Sequence, residues 1–159
     1  MLDDSKKNGV ITQLVHRILG AEEWIRNHKM TKHSFAAIGH DQSLTLGCGN
    51  YTPTAVGVAN VAAISLPQLY WIRIGNFVHC EGIVTVDPTA AGLTQFTLTL
   101  PVASNFGAIT DAAGVITSAT AVETGRVNAD TAGDIALFTY QAVSTANHIM
   151  AFSFMYQII

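Results

Sequence analysis

Residues 77–86, FVHCEGIVTV, have the clearest β-strand pattern of the chain. Successive side chains of a strand point to opposite sides, so every second residue lies on the same face. One predicted face holds the small and apolar residues Val78, Cys80, Gly82, Val84 and Val86. The turn-forming residues 87–89, DPT, end this strand, and residues 75–76, GN, predict a tight hairpin turn back to a strand over residues 70–74.

The same period of two continues along the rest of the chain. Strands are predicted over residues 54–61, 96–100, 115–120 and 122–128, and a final hairpin over residues 135–143 and 148–158. In the last strand one face is apolar: Met150, Phe152, Phe154, Tyr156 and Ile158. About eight short strands without a helical period between them predict a mainly β fold, a jelly-roll-like antiparallel β-sandwich over residues 51–159.

The N-terminal segment, residues 1–28, has a different period. Apolar residues recur at alternating spacings of three and four, which is the a/d pattern of a coiled coil. The residues of this seam are Val10, Ile11, Leu14, Ile18, Ala21 and Ile25. We expect an α-helix that forms a short trimeric coiled coil and serves for oligomerisation or anchoring. Because two heptads do not associate stably alone, the β domain must contribute to the oligomer. The alternative is an amphipathic helix that packs on its own domain.

Residues 29–50 are predicted to connect the helix to the β domain. This segment begins with polar residues, continues with the apolar residues 35–38 and contains glycines at 39, 47 and 49. It is long for a loop without secondary structure. We therefore expect it to drape over a larger particle or over a neighbouring subunit.

The composition favours a protein that assembles with copies of itself. The chain has 159 residues, of which 49% are hydrophobic and 12% charged, whereas about 25% is typical of globular domains. Residues 50–159 contain two basic residues, Arg73 and Arg126, against six acidic ones. This balance excludes a basic nucleic-acid-binding surface. A monomer so poor in charge would expose apolar surface, which contacts between identical subunits would bury.

The sequence contains no pattern typical of an enzyme or a membrane protein. The first residues, MLDDSKK, lack the features of a secretory signal peptide, and no apolar run approaches the roughly 20 residues of a membrane span. The histidines, cysteines and carboxylates form no recognisable catalytic, metal-binding or cofactor-binding set, and we expect no enzymatic activity. Cys48 and Cys80 are expected to be free thiols, although the sequence leaves their pairing open.

Four aromatic residues are candidates for ligand contact if they are exposed. They are Tyr51, Tyr70, Trp71 and Tyr140, whose rings are suited to stacking on sugars. The loops at residues 88–94, 107–114 and 128–134 consist largely of Ala, Gly, Thr and Asp, and we expect them to lie at the ends of the sandwich.

Five separated segments together resemble the C-terminal domain of tailed-bacteriophage virion proteins of the tail-fibre, head-fibre or decoration type. The segments are residues 51–54 (YTPT), 73–78 (RIGNFV), 86–90 (VDPTA), 100–106 (LPVASNF) and 152–159 (FSFMYQII). The resemblance does not extend to residues 1–49. It implies a homotrimeric structural protein of the virion, and no catalytic residues come with it.

This resemblance leads to a functional expectation. Residues 1–50 would attach the trimer to other capsid or tail proteins, and the β domain would serve host-surface glycan adsorption or shell stabilisation. A free carbohydrate-binding module is the alternative, and a polysaccharide-degrading enzyme is less favoured. Head or tail location, host and receptor stay open.

Overall fold

The computed structural model describes residues 45–66 and 68–159. Residues Thr45–Ile159 form one compact unit. The predicted N-terminal helix, with its coiled-coil residues from Val10 to Ile25, lies outside the described residues. So does most of the predicted connector, but the first described strand begins at Leu46, inside the range assigned to it.

The described residues form ten β-strands and one short 3-10 helix, Ile109–Asp111. The strands are β1 (Leu46–Tyr51), β2 (Ala55–Ala59), β3 (Val61–Ser65), β4 (Leu69–Ile74), β5 (Phe77–Pro88), β6 (Gly92–Leu98), β7 (Ala112–Ser118), β8 (Thr124–Asp130), β9 (Ile135–Ala142) and β10 (His148–Gln157). All their pairings are antiparallel. The predicted mainly β, antiparallel class is therefore confirmed.

The longest ladder of the sheet joins β5 to β10. Its register places Val78 opposite Tyr156, Cys80 opposite Phe154 and Val84 opposite Met150, and all six side chains are buried. The face of β5 that the sequence predicts to be apolar is thus turned into the core. The predicted hairpin turn before β5 is also present, with Gly75 at a φ of 61° that glycine adopts without strain.

The ten strands belong to one sheet that curls around its core. The ladder order is β1–β4–β5–β10–β7–β8–β9–β6–β2, and β3 pairs with β5. β2 pairs with β6, and β3 pairs with β5. Since β2 and β3 are consecutive in the chain, they link β6 to β5, which are far apart in the ladder order. The interior enclosed in this way is the hydrophobic core.

The corner between β2 and β3 is held by Asn60. Its φ of 57° lies in the left-handed region, which asparagine tolerates better than most residues. Its side-chain amide donates to the carbonyl of Ala90 at 2.7 Å and to Thr94 Oγ1 at 2.9 Å, and its carbonyl accepts from Thr89 Oγ1 at 2.6 Å. These bonds fix the corner to the connection between β5 and β6.

Two details of the predicted topology differ from the structure. β9 and β10 do not form a hairpin, because β10 pairs with β5 and β7 while β9 pairs with β8 and β6. In addition, β7, β8 and β9 are consecutive neighbours joined by short loops. This meander departs from a jelly roll, in which two Greek keys form two packed sheets.

Aromatic rings fill the core, both within and between strand pairs. Phe96 of β6 lies opposite Phe138 of the neighbouring strand β9 and stacks on it with ring centroids 4.8 Å apart. Phe138 also makes edge contacts with Phe152 at 5.0 Å and with Phe154 at 5.7 Å, which join β9 to β10 across the interior. Each such pair adds about 0.5–1.5 kcal/mol to the contribution of the buried area. These contacts hold opposite sides of the curled sheet together.

Gly114 lets β7 approach β10 closely. The two strands are paired so that Gly114 lies opposite Phe154. A Cβ added at this position would overlap with Phe154 Cβ and with the carbonyl oxygen of Ser153. Because backbone atoms are among those met, a side chain here requires the two strands to move apart.

Candidate functional site

Tyr70 and Trp71 are adjacent in β4 and therefore point to opposite faces. Tyr70 is 57% exposed on the outer face. Trp71 is half-buried on the inner face, where it packs against the core and its ring lies over Gly47 and Gly49 of β1. Of the two, only Tyr70 presents a ring to solvent.

The other two aromatic candidates are tied into the structure. Tyr51 is half-buried, and its hydroxyl shares a 2.5 Å hydrogen bond with Thr99 Oγ1. Tyr140 is 2% exposed in the core, so the exposure on which its predicted ligand contact depends is absent. Burial, together with the nearby carboxylate of Glu123, raises the pKa of Tyr140 to about 12. The four candidates do not form an aromatic platform.

The predicted variable loops lie at two opposite ends of the sheet. The antiparallel register places the connections at residues 89–91, 119–123 and 143–147 at one end. The connections at residues 99–111 and 131–134 lie at the other end. Hence residues 107–114 and 128–134 share an end, while residues 88–94 lie away from them.

Of the sixteen large hydrophobic residues that are exposed in the described unit, nine lie on one side of the sheet, which we name the outer apolar face. It lies on β1, β4, β5, β10 and β7 and consists of large hydrophobic residues that are each about half exposed. They are Leu46, Tyr70, Ile72, Ile74, Phe77, Ile83, Val115, Ile149 and Met155.

Strand register places the residues of the outer apolar face beside one another, with polar residues of β5 and β10 between those of β4 and β7. Ile74 lies between Leu46 and Phe77, since β4 pairs with β1 on one side and with β5 on the other. In the next row, Ile72 of β4 lies opposite His79 of β5, and His79 lies opposite Met155 of β10. Paired residues of an antiparallel sheet point to the same face, so these side chains are lateral neighbours.

The outer apolar face contains little charge. Its central polar residues are His79 and Ser153, which share a hydrogen bond of 2.9 Å between Nε2 and Oγ. The one acidic side chain among its paired neighbours is Glu81, which lies opposite Tyr70 and Ser153. No lysine or arginine occupies an outward position on β1, β4, β5, β10 or β7 of the described unit.

The outer surface formed by β8, β9 and β6 is polar instead. Its outward side chains include Thr124, Arg126, Asn128, Thr139, Gln141 and Gln95. Leu93 is the one exposed large hydrophobic residue on these three described strands. The two sides of the sheet therefore differ in the chemistry that they present to a partner.

A buried polar group lies at the end of the sheet that carries the connection from β9 to β10. Glu123 is 4% exposed and His148 is 2% exposed, and the Nδ1–H of His148 donates to Glu123 Oε2. The other carboxylate oxygen accepts from the backbone N–H of Val143 at 2.6 Å. The imidazole Nε2 lies 3.2 Å from Ser144 Oγ, which also accepts from the N–H of Ala146.

This Ser144–His148–Glu123 arrangement has the hydrogen-bond order of a serine hydrolase triad. Its surroundings favour a structural role. His148 is enclosed, and both ends of the network bond to the backbone of residues 143–146, so the network fixes that connection. The sequence analysis missed this group, because only the sheet topology brings Glu123, which precedes β8, next to Ser144 and to His148 at the start of β10.

The two cysteines and Asp134 are the other chemically notable residues of the described unit. Cys80 is buried, which raises the pKa of its thiol to about 12, and Cys48 is exposed; the two are not paired. Burial acts to raise the pKa of Asp134, but backbone N–H groups of Asn105, Phe106 and Ser104 outweigh it and hold the pKa below its ordinary value.

Two general searches of the described residues gave negative results. Residues 45–66 and 68–159 contain no cluster of three or more His, Cys, Asp or Glu residues suited to a metal ion. In the same part of the chain, no helix has both the length and the apolar character needed to cross a bilayer.

Comparison of the sequence with protein-family models gives no match, and comparison with curated proteins gives none either.

Proposed function

We propose that this chain is a structural protein of a tailed-bacteriophage virion that acts as a homotrimer. In this proposal residues 1–50 contain the trimeric coiled coil and attach the protein to capsid or tail proteins. The β unit then projects from the particle as a head fibre, tail fibre or decoration protein. Its role is adsorption to host-surface carbohydrate or stabilisation of the shell.

The observation that carries this proposal is the outer apolar face. A protein that acts alone rarely exposes this many large hydrophobic residues on one side of a sheet, and apolar surfaces of this kind mark sites of association. The enclosed aromatic core already accounts for the folding of the unit, so the additional apolar side is available for assembly. This combination favours a structural, self-associating protein.

Four of the five segments of the resemblance have a clear role in the architecture. Residues 73–78 form the hairpin turn between β4 and β5, and residues 86–90 include the Ala90 N–H that donates to Asn60 at the corner between β2 and β3. Residues 100–106 pack beside β10, where Val102 exchanges hydrogen bonds with the Tyr156 hydroxyl. Because these residues stabilise turns and strand contacts, their joint occurrence supports a common fold more than a common ligand.

A second candidate function, ester hydrolysis, is favoured by the Ser144–His148–Glu123 arrangement. In that case the Ser144 hydroxyl would attack the acyl carbon of an ester while His148 Nε2 takes its proton. His148 would then give this proton to the departing alcohol as the ester C–O bond breaks, and water would release the acid from Ser144. Labelling with a fluorophosphonate probe tests this directly. We expect no modification of Ser144, and stoichiometric labelling that is lost in Ser144→Ala would replace the virion proposal by a hydrolase.

Two measurements test the proposed function. Multi-angle light scattering of the full chain is expected to give three times the chain mass of 16.9 kDa. Electron microscopy of particles labelled with an antibody against the β unit is expected to place the protein on the virion. A monomer at micromolar concentration contradicts the homotrimer, and particles without label contradict the virion location.

A further inference from the structure

We propose that the outer apolar face is the surface through which copies of this chain contact one another. The inference rests on the proposed homotrimer and adds where its subunits meet. In a threefold assembly the face is turned towards the axis, so each copy contacts both neighbours through it. The polar surface formed by β8, β9 and β6 then faces outward.

The size of the face fits a partial interface between subunits. Nine large hydrophobic residues on it are 42–65% exposed. Residues of this size present on the order of 150–250 Å² when free, so about half exposure leaves roughly 800 Å² on each copy. A trimer divides this area between two neighbours, which gives each contact roughly 400 Å² per partner, about half of a standard interface, and the proposed coiled coil supplies the rest.

The chemistry of the face favours a second copy over other partners. Association of identical surfaces brings like charges together, and this face minimises the repulsion because Glu81 is its one acidic side chain between the apolar strands. A glycan is recognised by aromatic rings that stack on its sugars. The two exposed rings of the face, Tyr70 and Phe77, lie two paired rows apart on different strands, and its other large residues are aliphatic.

Matched substitutions on the two sides of the sheet test the proposal in the full chain. Ile72→Lys and Met155→Lys place a charge within the face, at positions 46% and 58% exposed. Leu93→Lys and Val56→Lys place the same charge outside it, at positions 55% and 56% exposed. We expect the first pair to raise the dissociation constant by about 30-fold or more, as loss of a central contact does, and the second pair to leave it unchanged.

Far-UV circular dichroism and thermal unfolding at one fixed concentration show whether each variant is folded. Since all four positions are exposed in the single unit, the fold itself is expected to persist. Double substitution Ile72→Asn with Met155→Asn, which adds no charge, is a second variant with the same expected loss of assembly.

Cys48 provides a reporter in the unmodified protein. It is exposed on β1 opposite Ile72, so it lies at the margin of the face, whereas Cys80 is 1% exposed. Alkylation of Cys48 by iodoacetamide is expected to slow as the protein concentration rises through the assembly range. The same reaction in Ile72→Lys is expected to be independent of concentration.

The outcomes separate this inference from the proposed function. A wild-type monomer contradicts the homotrimer and leaves the interface without a partner, which overturns both. A wild-type trimer that persists in the Ile72 and Met155 variants overturns the interface alone. Slow Cys48 alkylation at every concentration in a monomer would mean that another part of the same chain covers the face, and it also overturns the inference.

Discussion

Replacing Glu123 by alanine is expected to destabilise the β unit strongly. The substitution removes the acceptor of the buried His148 ring and of the Val143 N–H. Removing one partner of a buried charged or hydrogen-bonded pair costs about 3–5 kcal/mol, because the other partner is left without compensation. A loss of about 4 kcal/mol is a large part of the roughly 5–15 kcal/mol by which domains are stable.

Urea unfolding followed by far-UV circular dichroism measures this loss. With a slope of about 2 kcal/mol per molar urea, the midpoint is expected to fall by about 2 M while the slope stays constant. Arg126→Ala, which removes an exposed charged side chain from the polar side, is the control and is expected to shift stability by less than about 0.5 kcal/mol.

Ser144→Ala distinguishes a structural network from a catalytic one. It retains the pair between Glu123 and His148 and removes two hydrogen bonds from a half-buried site, one with His148 and one from the Ala146 N–H. We expect a cost of about 1–2 kcal/mol. If Glu123→Ala shifts the urea midpoint no more than Ser144→Ala does, the carboxylate does not fix this end of the sheet and the reasoning is refuted.

Three further predictions concern single positions. The pKa of Asp134 is lowered in the folded state from its ordinary value of 3.8, so the stability that its carboxylate contributes is present above pH 3.8 and is lost as the pH falls through the folded pKa. Asp134→Asn is therefore expected to be less stable than wild type at pH 7. The urea midpoints of the two proteins, measured as a function of pH, should converge in acid. Gly114→Ala is expected to cost about 1–3 kcal/mol of unfolding free energy, since its Cβ meets the Ser153 carbonyl, and an unchanged melting temperature would contradict the close approach. Cys80, whose thiol pKa is raised to about 12 by burial, is expected to react with Ellman's reagent in denaturant but not in the native chain, so rapid native reaction would show that it is accessible.

The inward faces of the strands could be predicted because they depend on local pattern. Alternation of residues in β5 and β10 identified the strands and most of the residues that they bury. The tight turn at Gly75 was equally local, since two residues with suitable backbone freedom lie between two apolar strands. Both signals arise from neighbours in the sequence.

Strand pairing was not accessible in the same way. The sequences of β9 and β10, with turn-forming residues between them, have the pattern of a hairpin. An alternating strand has the same pattern whether it pairs with the next strand or crosses to another edge. In this fold β10 enters between β5 and β7, where its long apolar face meets theirs.

At the candidate site, too, features that depend on local pattern could be predicted and features that depend on strand pairing could not. The buried position of Tyr140 was available from the alternation of Ala136, Phe138, Tyr140 and Ala142 in β9, all of which are buried. The pairing of Glu123 with His148 could not be predicted, because it joins the connection before β8 to the first residue of β10, a strand distant in the sequence. The outer apolar face had a signal in β4 and β10, where apolar residues occupy both faces.

Folding and assembly use different surfaces of this sheet, and that separation makes the functional proposal testable. The residues that close the core, such as Phe138 and Phe152, are almost fully enclosed within one chain. By contrast, Ile72 and Met155 lie on the opposite side of the same strands and stay about half exposed. Substitutions at Glu123 should therefore lower the stability of the unit at any concentration. Substitutions at Ile72 should change only the mass of the assembly. If each substitution changed both the stability of the unit and the mass of the assembly, folding and assembly would not use separate surfaces, and the proposal would be wrong.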